Sequence, residues 1–123
     1  MERLKIEDVA AFVPAELLEK ARAAEAKLPT GDAQAEADLA EFYMYLGSTL
    51  QNPHRAYDIG LTFAESAAAK GNGDGLWILA QAYEQGLGVD IRPERALVLY
   101  RKAAAQGHPA AQRSLDRLSR KEN

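Results

Sequence analysis

His54 and His108 are the two histidines of the chain, and chemistry near neutral pH would start with them, because imidazole titrates closest to that range. Each stands beside a proline, in Pro53-His54 and His108-Pro109, where a helix is expected to begin. Neither has a second histidine at the spacing that places two ligands on one helix face. Both are read as capping or surface residues. The run Asn72-Gly73-Asp74-Gly75 has the look of a calcium loop, but Lys70 and Gln81 would stand where the first and last carboxylates are needed. Gly86-Leu87-Gly88 lacks the third glycine of a dinucleotide fingerprint and follows no strand.

The remaining routes to catalysis close in the same way. With no cysteine in 123 residues, thiolate zinc sites, iron–sulfur clusters, disulfides and cysteine nucleophiles are excluded. No Gly-x-Ser-x-Gly elbow occurs. Glu36, Asp38 and Glu41 are expected on a solvated helix face, not as a carboxylate pair with divergent environments. The expectation is a protein that is not an enzyme and needs no cofactor or metal.

Bulk properties agree with a folded domain. Apolar residues make up 47% and charged residues 27% of the chain, the balance of a globular protein, and the length suits one domain. A net charge of −3 argues against a nucleic-acid partner. The apolar run Val9–Val13 is too short for a signal core or a membrane span and sits among Glu2, Arg3, Lys5, Glu7 and Asp8. A cytoplasmic protein that does not bind membrane is expected.

The elements that would position any site are set by internal repetition. Ala67–Gly71 (AAAKG) matches Ala103–Gly107 (AAAQG) at a spacing of 36, and Leu39-Ala40-Glu41-Phe42-Tyr43 matches Leu79-Ala80-Gln81-Ala82-Tyr83 at a spacing of 40. The difference is one helical turn, assigned to Ala56–Lys70. Each unit reads as two helices. The first helices run from about Ala33 to Leu46 and from about Gly75 to Gln85. The second begin at Asn52-Pro53, with Asn52 as cap, and at Arg92-Pro93; they end at Gly71 and Gly107. Pro14–Leu28 resembles a lone second helix followed by the Pro29–Asp32 turn. Ala110 to about Lys121 resembles a lone first helix, with Leu115 and Leu118 inward and Arg113, Arg117, Arg120 and Lys121 outward.

These residues resemble the Sel1-like repeat family, a relative of the tetratricopeptide fold. The second unit carries the signature in Leu79-Ala80, Tyr83, Gly86-Leu87-Gly88-Val89, Ala96 and Tyr100–Ala110. The first unit departs from it, with Leu46-Gly47-Ser48-Thr49 where the family has its glycine-rich loop. The resemblance covers about Ala33–Leu118. It implies an all-α superhelix of about two repeats with flanking half-repeat helices: N-terminal capping helices over 1–32, repeats over 33–71 and 72–107, and a C-terminal capping helix over 108–123.

It also implies function. In this class first helices line a concave groove that holds a partner protein, as an adaptor does. With Leu39, Tyr43, Leu79, Tyr83 and Leu115 set toward the core, the groove is approached by Glu41, Met44, Tyr45, Asp74, Trp77, Gln81, Glu84, Gln85, Arg113 and Arg117. Trp77, roughly 200° around the helix from Leu79, is either a partner anchor or a plug between adjacent first helices. Met44 is either adaptable surface or filler of a core gap. Acids at one end of the groove and arginines at the other would orient a charged segment. Two other roles stay open: a small bacterial immunity protein that neutralises a toxin, and a self-assembling structural repeat. A monomer or weak homo-oligomer is expected.

Overall fold

The computed structural model describes residues 5–50 and 53–122, and the described residues form helices without strands. A short helix α1 (Ile6–Val9) and a 3-10 turn (Ala10–Phe12) precede α2 (Ala15–Lys27). Then follow α3 (Ala33–Thr49), α4 (His54–Ala69), α5 (Gly73–Gln85), α6 (Pro93–Ala105) and α7 (Pro109–Glu122). Packing is sequential: α3 pairs with α4, α5 with α6, and α2, α4 and α6 each lie against the first helix that follows. The fold is the expected all-α repeat superhelix. Of the earlier expectations, the charges at Glu2 and Arg3, the Asn52 cap and the outward placing of the Lys121 side chain lie outside what is described.

One joint recurs at the head of every first helix. Gly31, Gly71 and Gly107 adopt φ of 74°, 79° and 85°, the left-handed region that glycine enters without steric cost. The residue after each glycine then caps the next helix: Asp32 Oδ1 accepts the Ala35 N–H at 2.9 Å, Asn72 Oδ1 the Gly75 N–H at 2.9 Å, and His108 Nδ1 the Ala111 N–H at 3.2 Å. A side chain from the following unit staples the joint, because Lys70 Nζ donates to the Gly31 carbonyl and Gln106 Nε2 to the Gly71 carbonyl.

The two units differ where their sequences do. The first helix of the first unit, expected to stop at Leu46, runs on to Thr49. At the matching place in the second unit stands Gly86, which takes φ 75° and ends α5; Leu46, fully buried, stays helical. The expected extra turn is in α4, which has 16 residues against 13 in α6.

Two apolar clusters fill the array. The first joins Ile6, Ala21, Leu39, Phe42, Tyr43 and Leu46, the second Leu61, Leu76, Leu79, Leu99, Tyr100 and Ala111. Phe63, half-buried on α4, packs against both and stacks on Tyr43 with ring centroids 6.1 Å apart. Small residues set the helix spacing: a Cβ on Gly75 would meet Ala67 Cβ at 2.6 Å and the Ala68 amide at 2.9 Å, so α5 starts almost on the backbone of α4.

Candidate interaction face on the first helices

A chain of polar contacts crosses α2, α3, α5 and the start of α7. Lys20 Nζ lies 2.9 Å from Glu41 Oε1 and 3.7 Å from Asp38 Oδ1. Gln34 Nε2 donates to Asp38 at 3.0 Å and to Asp74 Oδ2 at 2.8 Å, and its carbonyl accepts from Asn72 at 3.0 Å. Asp74 Oδ1 in turn meets His108 Nε2 at 2.7 Å. Since His108 Nδ1 is occupied as an acceptor by the Ala111 amide, Nε2 carries the proton and donates it to Asp74.

Trp77 rests on this chain. Its ring stacks on His108 with centroids 5.5 Å apart and an interplanar angle of 26°. The side chain is half-buried and touches the second apolar cluster. Its Nε1 is buried and has no hydrogen-bond partner among the described residues. A hollow of about 80 Å³ opens beside it, lined by Lys20, Ala37, Asp38, Glu41, Asp74 and Ile78 together with the indole. The indole thus packs at the start of α7 and stays partly open.

The charges are arranged to stay charged. The hydrogen bond to Glu41 raises the Lys20 ammonium above its ordinary value, against the effect of burial and with help from Asp38 and Asp74. Burial opposes ionisation of Asp74, but hydrogen bonds from Gln34 and His108 and the nearby Lys20 charge hold its carboxyl below the usual range.

The expected face residues separate into three groups. Glu41, Asp74 and Trp77 come together as described, with Gln81 half-buried and Gln85 exposed on the same helix. Glu84 and Arg117 pair with each other: Arg117 Nη1 is 2.8 Å from Glu84 Oε2 and Nη2 donates to Oε1 at 2.9 Å, while the buried Tyr100 hydroxyl donates to Oε1 at 2.6 Å. They tie α5, α6 and α7 together. Arg113 is exposed.

Two expectations need correction. Met44 is turned to α4, where a Cβ on Gly60 would meet its sulfur at 2.8 Å; of its two readings the gap filler holds, because Gly60 leaves room that only a long flexible side chain reaches. Tyr45 leans on the first apolar cluster. The acids also depart from a solvated face. The Glu36 side chain is 13% exposed and accepts from Lys70 at 2.7 Å and Ser66 at 2.6 Å, and Asp38 is 18% exposed.

Lys20, Gln34 and His108 were not among the expected face residues. The 40-residue spacing was a usable signal for Gln34, which occupies the place of Asp74 one unit earlier; for Lys20 no periodic signal exists, because α2 has no preceding unit to match.

None of the described helices is long and apolar enough to cross a membrane, and no metal-ligating cluster of three or more acidic or imidazole side chains is found among the described residues. The chain matches the Sel1 repeat over residues 33–72 and again over residues 73–108, which together make up more than half of it. No curated protein matches it.

Proposed function

The chain belongs to the Sel1 repeat family, whose repeats generally mediate protein–protein interaction, and we propose that it is an adaptor holding one segment of a partner protein along the α3, α5 and α7 face. The observation that carries this reading is Trp77, a partly open indole clamped on His108, whose own ring is fixed by Asp74 and the Ala111 amide. An aromatic held in this way has little freedom to lose on binding, which is what makes such residues strong anchors.

Glu41 lines the hollow beside the indole, and Gln81 follows Trp77 one turn further along α5. Three carboxylates, Asp38, Glu41 and Asp74, surround one Lys20 ammonium at the hollow, so the face favours a partner segment that carries positive charge. Such complementarity acts on encounter rate and orientation more than on affinity. The net charge of −3 supports a protein partner over a nucleic acid. The same reading takes the chain to be cytoplasmic and to act without catalysis or cofactor, and leaves open whether the bound partner is inhibited or only held.

The test is affinity capture with the wild-type chain and with Trp77→Ala and Gln81→Arg, followed by mass spectrometry and titration of whatever is retained. Each variant should keep the helical circular dichroism of the parent and weaken the partner by about tenfold or more. A partner held equally by all three chains removes this face from the function.

A further inference from the structure

The hollow beside Trp77 is small, about 80 Å³, whereas one of about 500 Å³ opens on a different side of the molecule, where the loop between α5 and α6 turns back. Its walls are Tyr83, Gly88, Val89, Asp90, Arg92 and Arg95. We infer that this hollow is a carboxylate-binding site, and that it takes an acidic side chain of a partner segment whose neighbouring residue is apolar.

The walls are rigid before anything binds. Gly86 and Gly88 hold φ of 75° and 79°. The Gly86 and Leu87 amides donate to the Ala82 carbonyl at 2.8 and 3.0 Å, and the Arg92 amide donates to the Tyr83 carbonyl at 2.8 Å, closing the loop on α5. Ile91 folds over Gly86, where a Cβ would meet its Cγ1 at 2.9 Å, and Gly88 sits against Tyr57 and Leu61 with equally little room. Both arginines therefore project from a fixed frame, which lowers the entropy lost when a ligand is taken up.

Their state points to the ligand. The Arg95 guanidinium lies over the Tyr83 ring, 4.9 Å from its centroid. That contact leaves the guanidinium without a carboxylate partner, so its N–H groups remain donors for an acceptor. Neither Arg92 nor Arg95 has a carboxylate partner among the described residues, and both line the same hollow. Asp90, on the same wall, forms no ion pair with either. Two guanidinium groups against one carboxylate leave a single net positive charge, which suits one carboxylate better than a dianionic phosphate.

A second hollow, about 390 Å³, shares Gly88, Val89 and Asp90 with the first and extends over Pro53 and Tyr57. Ile91 stands 61% exposed between α5 and α6 on this same loop. Tyrosine and arginine are enriched at binding hot spots, Ile91 adds open apolar surface, and the second hollow gives the apolar neighbour of the acid a place to lie. This site is independent of the Trp77 face, and neither reading requires the other.

The test titrates the intact ¹⁵N-labelled chain with leucyl-glutamyl-leucine blocked at both ends, with the same peptide carrying glutamine in place of glutamate, and with inorganic phosphate. Saturable shifts of the Gly88, Val89 and Arg92 amides are expected with the glutamyl peptide. The glutaminyl peptide should bind at least about fivefold more weakly, and the variant Arg92→Gln/Arg95→Gln about tenfold more weakly. Both arginines are exposed, so the variant should fold, and Trp77→Ala should leave this titration unchanged. Absence of saturable shifts, equal binding of the two peptides, full binding by the double variant, or phosphate binding as tightly as the glutamyl peptide would overturn the proposal.

Discussion

The Tyr100 hydroxyl donates to Glu84 at 2.6 Å, at the place where, 40 residues earlier, the Met44 sulfur lies over Gly60. One contact between a first and a second helix is thus made twice, once by a long apolar side chain over a glycine and once by a carboxylate under a phenol. Each pairing fills the space that its partner leaves.

That exchange can be tested by moving one pair into the other unit. Tyr100→Gly alone should cost about 3–5 kcal/mol, through the cavity it opens and the lost hydrogen bond. Glu84→Met/Tyr100→Gly should recover part of that loss, because the thioether occupies the space. Urea denaturation of the single variants and the double variant gives the coupling; strict additivity would show that the two pairs are not equivalent.

The same bond sets behaviour in alkali. Burial, then the hydrogen bond to Glu84 and its negative charge, push the Tyr100 phenol well above its ordinary value. The unfolded chain loses this proton near pH 10 while the folded chain keeps it, so stability should fall as pH rises past about 10. In Tyr100→Phe the fall should be shallower, as measured by melting temperature between pH 8 and 11.

Two carboxyls govern the acid side. Glu36 is held below its ordinary value despite burial, by hydrogen bonds from Lys70 and Ser66 and by the Lys70 charge, and Asp74 by Gln34 and His108. Their contribution is present above the ordinary carboxylate range and is lost as pH falls through the lowered folded values. Glu36→Gln/Asp74→Asn should therefore flatten the decline in denaturation midpoint below about pH 4. An unchanged slope would show that these bonds do not persist in solution.

Gly75→Ala and Gly71→Ala should destabilise for different reasons. At Gly75 the added methyl meets Ala67 and the Ala68 amide, an overpacking that costs about 1–3 kcal/mol. At Gly71 nothing lies within 4 Å, and the cost of about 1–2 kcal/mol comes from the left-handed backbone at φ 79°. Gly71→Asn, which tolerates that conformation better, should recover part of the second loss. No polar replacement relieves the first.

The repeat and its joints were legible in the chain because they rest on local rules: glycine ends a helix, a polar side chain caps the next, and the spacings of 36 and 40 count turns. What stayed hidden depends on contacts between units. His108 reads as a cap and is one, but nothing next to it in sequence says that its other nitrogen meets Asp74. Met44 and Glu84 share a helix face and yet point at different partners, since the deciding residues, Gly60 and Tyr100, are 16 positions further on. Helix α3 outruns its expected end because Leu46 stands where Gly86, in the left-handed conformation, stops α5. The arginine-lined hollow is not legible in the chain because Arg92 reads as an ordinary helix start and only the folded loop brings Arg92 and Arg95 to one wall.

Between Gly60 and Ala67, α4 carries four residues more than α6 carries between Tyr100 and Ala103, and Phe63 lies in that added stretch. Its ring is shared by the two apolar clusters, so melting either end of the array strips contacts from the other. Stacked repeats can open unit by unit; here the inserted turn acts as a rivet between the halves, and a single cooperative opening is the expected consequence.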